Sequence, residues 1–290
     1  MTAYVDFPAG ADCGGTEAKR QTAEAEALLR GVPEKGGLEY YYQPICDART
    51  GRIAKAEVLL RVRDQQGGFL DTEAFIAAAE KLGLIGVLDR KAFRHTCTCL
   101  PEFRARGIDM LSFNLSPASC RNPHIVPALK GILAETGADP AALCIEITEE
   151  AAAKDDGRLV EVMRALYHLG FHLALDDFGK GSSTIQRIIS TPFHVLKLDR
   201  SLVWSLEGQS PVGGQCLAKP LLASLIRFAH ENGITIVAEG VETEAQARQL
   251  ARMGCHFLQG YFFSPPVPKK QFFQLLDKKT LLDYLGDINA

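Results

Sequence analysis

Acidic, amide and lysine side chains recur through this 290-residue chain at Glu57, Asn114, Glu146, the Asp176-Asp177 pair, Lys197 and Glu239. Each closes a short apolar or β-branched run and precedes a loop and a helical pattern. Oxygen donors in that number suit one or two hard divalent cations, Mg2+ or Mn2+. Such ions serve phosphate chemistry, where a pair can clamp the attacking and leaving oxygens of an in-line displacement. The adjacent carboxylates of Asp176 and Asp177 repel one another in a partly buried site, and a divalent ion relieves that repulsion. Lys197, in V-L-K-L-D, could pair with Asp199 at a surface. Inside a ring of carboxylates it would instead hold or polarise a water.

Taken singly, each residue has an ordinary explanation. Glu57, in E-V-L-L-R, is costly in a strand built for burial unless paired, and Arg61 or Arg63 is the simplest partner. Asn114 could cap a strand end. Glu146 alternates with Ile145 and Ile147, so its side chain points away from theirs. Glu242 reads as a helix N-terminal acid. Gly179-Lys180-Gly181-Ser182 resembles a phosphate loop, but the G-x-x-x-x-G-K-[ST] spacing is missing. Cys97-Thr98-Cys99 has no second pair to make a zinc site, and Gly170 separates His168 from His172. Such groups nevertheless recur at successive strand ends, and that recurrence marks a site.

The elements that would position these groups alternate. Strand-like runs cover 39–46, 53–62, 110–115, 143–148, 171–175, 194–198, 234–238 and 256–261. Helical patterns cover 72–82, 84–106, 124–136, 158–169, 183–189, 217–232, 244–253 and 269–276. Strands alternating with helices argue for a parallel sheet. Only Asp47-Ala48-Arg49-Thr50-Gly51 separates the first two runs, which reads as a hairpin turn. The expected fold class is α/β, a modified (β/α)8 TIM-like barrel with an antiparallel first strand. Polar residues at the carboxyl ends of barrel strands are where such a fold puts its active site. Residues 1–36 read as an N-terminal extension, partly helical over 16–30, and residues 37–290 as the barrel domain. Residues 205–215 read as a surface excursion.

Composition limits the partners. Hydrophobic residues at 47% are enough to fill a full core. A net charge of −3 gives no basic field to attract a nucleic acid polymer or an acidic membrane. No apolar run approaches a membrane span, and the N-terminus lacks the pattern of a secretion signal, so a cytoplasmic address is expected. The eight scattered cysteines read as small buried hydrophobes.

The same segments resemble the EAL-domain family of cyclic di-GMP phosphodiesterases. The resemblance runs in order through Tyr42-Gln43-Pro44-Ile45, E-V-L-L-R (57–61), F-N-L-S (113–116), I-E-I-T-E (145–149) and L-A-L-D-D-F-G-x-G-x-S (173–183). It continues through V-L-K-L-D (195–199), V-A-E-G-V-E-T (237–243) and L-Q-G-Y-x-F-S-x-P-x-P (258–268). The resemblance implies hydrolysis of cyclic di-GMP to linear pGpG by a homodimer. It implies Glu57, Asn114, Glu146 and Asp176 as ligands of a first metal and Asp177 as serving a second. Lys197 would position the attacking water, and Glu239 would be a further metal-site carboxylate or the general base. Gln43, Leu59, Arg61, Asp89 and Gln259 would contact substrate, with Asp89 and Leu59 near a guanine. Glu149 and Glu242 would hold the loop after Asp177.

The chain departs from the family pattern at Val58, where alanine is expected, and at Lys180, Ser182, Thr184 and Pro265. Two alternatives to an active enzyme follow: a receptor that binds the dinucleotide without cutting it, and a protein-interaction module on the same barrel.

Overall fold

The computed structural model describes residue 29 and residues 38–64, 66–149, 157–180, 191–206 and 218–277. The chain divides into two compact units, residues 1–39 with 61–85 and residues 40–60 with 86–290. In the first unit Arg63 donates to Glu39 at 2.5 Å and lies over the Phe69 ring. There, helix α1 (Thr72–Lys81) is capped by the Asp71 carboxylate, which accepts from the Glu73 amide. The expected boundary near residue 36 and the expected helix over 16–30 lie outside the described residues, Leu29 excepted. The expected helix over 183–189 lies outside them as well, as does most of the loop over 205–215.

Eight strands close a barrel: β1 (Leu38–Asp47), β2 (Ile53–Val62), β3 (Met110–Asn114), β4 (Leu143–Thr148), β5 (His172–Phe178), β6 (Val195–Leu198), β7 (Thr235–Ala238) and β8 (Phe257–Gln259). Neighbours from β2 to β8 run parallel, and β1 enters antiparallel between β8 and β2. The hairpin that reverses β1 is set by Asp47. Its Oδ1 accepts from the Arg49 and Thr50 amides and the Thr50 hydroxyl, and Gly51 takes a φ of 68°. All eight expected strands are present.

Side chains alternate across each strand, so the barrel separates two apolar cores. Facing the helices is a large core that includes Val58, Phe113, Ile145, Ile147, Leu175 and Leu198. Inside the barrel lies a small layer of Ile45, Met110, Cys144, Ala174, Val195 and Val237, with Phe257 against it. Every member of that layer is two residues from a second set: Gln43, Ser112, Glu146, Asp176, Lys197, Glu239 and Gln259. The period of two therefore stacks a polar layer at the mouth directly on an apolar floor.

Several short elements have no counterpart among the expected ones. Helices α3 (Pro117–Arg121) and α6 (Arg200–Trp204) each follow a strand end by one to three residues. Strand β9 (Val267–Pro268) pairs with β1 at Tyr42 and Tyr41. Each is too short to show a hydrophobic period. The longer helices match their expected positions: α2 (Ile85–Arg104), α4 (Ile125–Thr136), α5 (Gly157–His168), α7 (Ala218–Glu231), α8 (Glu244–Arg252) and α9 (Lys269–Asp277). Six of the cysteines are free and buried. Among the described residues no helix is long and apolar enough to cross a membrane.

Candidate active site

The mouth is organised around Lys197. It leaves β6 into the barrel, and its Nζ lies 2.6 Å from Glu146 Oε2, 2.7 Å from Glu239 Oε1, 3.1 Å from Asp176 Oδ1 and 3.4 Å from Glu57 Oε2. Register brings these groups level. Asn114 pairs with Glu146, Thr148 with Asp176, and Lys197 with Val237 two residues before Glu239. Glu57 also accepts from Asn114 Nδ2 at 2.9 Å and Gln259 Nε2 at 2.7 Å. Gln259 in turn donates to Gln43 Oε1 at 3.1 Å, tying antiparallel β1 into the ring. Neither simple pairing expected for isolated residues occurs. Arg63 engages Glu39 rather than Glu57. Lys197 is fully buried, while Asp199 caps α6 through the Ser201 amide.

The Asp176-Asp177 pair sits within β5, which continues to Phe178 instead of ending at Leu175 as expected. In a regular strand adjacent side chains point to opposite faces. Here the register with β6 shifts between Leu175 and Phe178, and Asp177 takes a φ of 57°. A left-handed aspartate is uncommon. It turns the second carboxylate back toward the mouth, where Asp176, Asp177 and Glu239 present oxygens within 4.8 Å of one another.

The electrostatics follow from packing four carboxylates around one ammonium, with the Asp177 carboxylate close to two of them. Burial alone would lower the Lys197 pKa, but Asp176, Glu146, Glu239 and Glu57 outweigh it and hold the ammonium well above the usual range. Burial pushes Glu57 upward, and Lys197 with the donors of Gln259 and Asn114 reverses that, leaving it below an ordinary glutamate. Burial, then the Glu57 charge, drives Glu146 well up. Burial carries Glu239 to about 8 despite Lys197, with Asp176 and Glu57 adding to the rise. Asp177 is raised by burial and by Asp176.

One ammonium is thus too little positive charge for this ring. Among the described residues, the remaining groups of the ring offer oxygens of carboxylates and of the amides of Asn114, Gln43 and Gln259, which is the chemistry of a hard divalent cation. The residues present fit Mg2+ or Mn2+. Such an ion would supply the missing charge and draw the raised carboxylates back to their ionised forms.

The other expected site residues fall into two groups. Glu149 is buried and its Oε2 accepts from the Gly179 amide at 2.7 Å, bracing the start of the loop after Asp177. Asp89, buried on α2, accepts from the Ser116 amide at 3.1 Å and hydroxyl at 2.6 Å, so it holds the turn that follows Asn114. Leu59 and Arg61 follow Glu57 along β2 and are half-buried. Glu242 is exposed and lies just before the Thr243 cap of α8, and its own amide donates to Gln246 Oε1. Among the departures, Val58 is buried in the core on the helix side of β2, opposite Glu57, whereas Lys180 lies 3.7 Å from Asp177. Ser182 and Thr184 lie outside the described residues. Sequence reasoning did not single out Ser116, whose hydroxyl also accepts from the Ser119 amide to start α3. The signal available was a serine followed by proline, a helix-start pattern.

A barrel of this topology, with acidic groups and one lysine at the carboxyl ends of its parallel strands, defines a TIM-like α/β protein working at that face. Residues 25–266 match the EAL domain family, and the chain belongs to it. Members of that family are typically cyclic di-GMP phosphodiesterases that use divalent metals, and some are inactive. An uncharacterised protein of Mycobacterium tuberculosis is 32% identical over 257 residues, which are 88% of this chain and 40% of that protein. The oxygen sensor protein DosP of Escherichia coli is 32% identical over 251 residues, 84% of this chain and 30% of DosP. The solved phosphodiesterase PaMucR, in complex with c-di-GMP, superposes with a TM-score of 0.77 at 29% identity, covering 86% of this chain and 99% of that one. The chain therefore spans less than half the length of these two curated relatives.

Proposed function

We propose that the barrel mouth binds cyclic di-GMP with one or two divalent cations and hydrolyses one of its phosphodiesters to linear pGpG. The observation that carries this reading is the convergence of Glu57, Glu146, Asp176 and Glu239 within 3.4 Å of a single ammonium. A surface kept only for binding has no need to assemble so many costly like charges.

Glu57, Asn114, Glu146 and Asp176 would hold the first cation, and Asp177 would serve the second. When bound, such cations polarise a phosphoryl oxygen and lower the pKa of a water. Lys197, locked in its protonated form, donates from Nζ and orients the attacking water by its oxygen. That water adds its hydroxyl to phosphorus, and the ester oxygen leaves with a proton. Glu239 completes the ring as a further ligand or accepts the water's proton. Gln43 and Gln259 offer amide groups at the edge of the ring, suited to phosphate oxygens. Arg61, a planar fork of donors, together with Leu59 and Asp89, enters the substrate site by family resemblance.

One observation favours a second reading, a receptor that binds without cutting. The Lys180 ammonium stands 3.7 Å from Asp177, where it competes with a second cation. The variant Val58 does not support that reading, because its side chain faces the core and not the mouth. Incubation with cyclic di-GMP and Mn2+ or Mg2+, with separation of products, distinguishes the two. The proposal expects pGpG from the wild type and none from Glu57→Ala. Binding without turnover at every metal concentration would establish the receptor.

A further inference from the structure

Helix α6 begins three residues after Lys197 and has no role in the chemistry above. Its last residue is Trp204, the only tryptophan in the chain. The indole Nε1 donates to the backbone carbonyl of Gly240 at 3.1 Å. Gly240 directly follows Glu239. Its φ is 64°, and a Cβ placed there would lie 2.2 Å from Arg200 Cβ and 3.1 Å from Arg200 Cα. The first residue of α6 therefore packs flat against Gly240 while the last holds its carbonyl. Arg200 also lays its guanidinium over the Trp204 ring at 5.0 Å, joining the two contacts into one clamp.

The clamp is anchored to the strands that carry the site. The Glu239 amide donates to Leu198 O at 3.0 Å, and the Asp199 amide donates to Phe178 O at 3.0 Å. The Asp199 side chain starts α6 by accepting from the Ser201 amide, and Val203 is buried beneath it. The ends of β5, β6 and β7, bearing Asp177, Lys197 and Glu239, thus meet around one five-residue helix. An indole that is 40% exposed adds little to core stability, yet its single polar atom is spent on the residue beside a site carboxylate.

We propose that Trp204 is a positioning residue for Glu239, holding the Gly240 carbonyl so that the carboxylate keeps its place beside Lys197, Asp176 and Asp177. The inference rests on the reading of the mouth as a divalent-cation site. A carboxylate that must meet two cationic partners at fixed distances loses affinity when its backbone can rotate away, and a loop held by a side chain is one means of preventing that.

Trp204→Phe keeps an aromatic ring beneath Arg200 but removes the N–H together with the pyrrole half of the indole. The test is calorimetric titration of the full chain with Mn2+ alone, alongside cyclic di-GMP hydrolysis and thermal unfolding. The expected result is an Mn2+ affinity weakened by on the order of fivefold, about what one hydrogen bond supplies. kcat should fall by a similar factor at an unchanged KM, with a midpoint of unfolding within a few degrees of the wild type. Gly240→Ala, which drives the same peptide away from Arg200, should weaken Mn2+ more strongly than Trp204→Phe. In the wild type, Mn2+ should change the Trp204 fluorescence. Equal Mn2+ affinity in the wild type and Trp204→Phe would overturn the proposal, as would a loss of folding stability with metal affinity intact. A wild type that binds no Mn2+ would instead remove the cation reading on which it rests.

Discussion

Lys197→Met removes the buried ammonium at the centre of the ring while keeping an unbranched side chain of similar length. The wild-type ammonium has four carboxylate oxygens between 2.6 and 3.4 Å away. At an effective dielectric near 20, each such contact contributes roughly 5 kcal/mol of Coulomb energy. Most of that is offset by the desolvation of five buried groups and by repulsion among the carboxylates. What remains observable is the cost of leaving buried charges without their partner, about 3–5 kcal/mol. For a chain of this size that corresponds to a fall of about 10 °C in the unfolding midpoint. Thermal unfolding in a chelating buffer at neutral pH measures it directly. Millimolar Mg2+ should then raise the midpoint of the variant more than that of the wild type, because its mouth carries one more negative charge. A variant that unfolds within about 2 °C of the wild type, with no greater response to Mg2+, would refute the view that Lys197 is the counter-charge of the ring.

Other expected outcomes follow from single contacts. In Gly260→Ala the new methyl would lie 2.1 Å from Val241 O and 2.3 Å from Val241 N, both rigid backbone atoms. A loss of more than about 3 kcal/mol in denaturant unfolding is expected, and a near-neutral change would contradict the packing of β8 on that turn. Lys180→Ala should raise Mn2+ affinity by about twofold in calorimetry, a small effect because the ammonium is largely exposed. Unchanged or weaker binding would mean Lys180 does not compete at Asp177. His95, stacked on Tyr40 and 2.7 Å from the Tyr42 hydroxyl, has its pKa pushed down to about 4 by burial, with Lys269 adding to it. A histidine lowered from about 6.5 favours the neutral folded form. Its contribution is therefore complete above pH 6.5 and is lost as the pH falls toward 4. Allowing for the half-exposed ring, it amounts to about 1–2 kcal/mol. The stability difference between wild type and His95→Gln should shrink over that range, and a difference independent of pH would sink the assignment.

Much of this site could be read from the sequence because barrel strands have a simple period. Glu146 and Lys197 sit two residues from the floor residues Cys144 and Val195, and these two and Glu57 each lie next to residues bound for the outer core, so strand alternation alone aims them inward. The asparagine and glutamines were legible through the family motifs, yet their bonding to Glu57 was not. Nothing in the local pattern links Gln259 to a strand 202 positions away. Asp177 is the clearest limit. Two adjacent aspartates in a strand should diverge, and only the irregular register and left-handed backbone bring both to the mouth. Asp89 shows a different limit, since a carboxylate in a helical pattern carries no sign that Ser116 takes two of its hydrogen bonds. Helix α6 was missed because five residues cannot display a helical period, although an aspartate followed by Arg-Ser is a usable start signal.

The most direct test is anomalous diffraction from crystals soaked with Mn2+ and a cyclic di-GMP analogue that resists hydrolysis. An Mn2+ peak is expected among Glu57, Asn114, Glu146 and Asp176, with a second ion or a bound phosphate beside Asp177 and a phosphodiester of the ligand lying over Lys197. A dinucleotide bound at the mouth with no ion at these oxygens would contradict the proposed cation site, as would Mn2+ bound only elsewhere on the barrel.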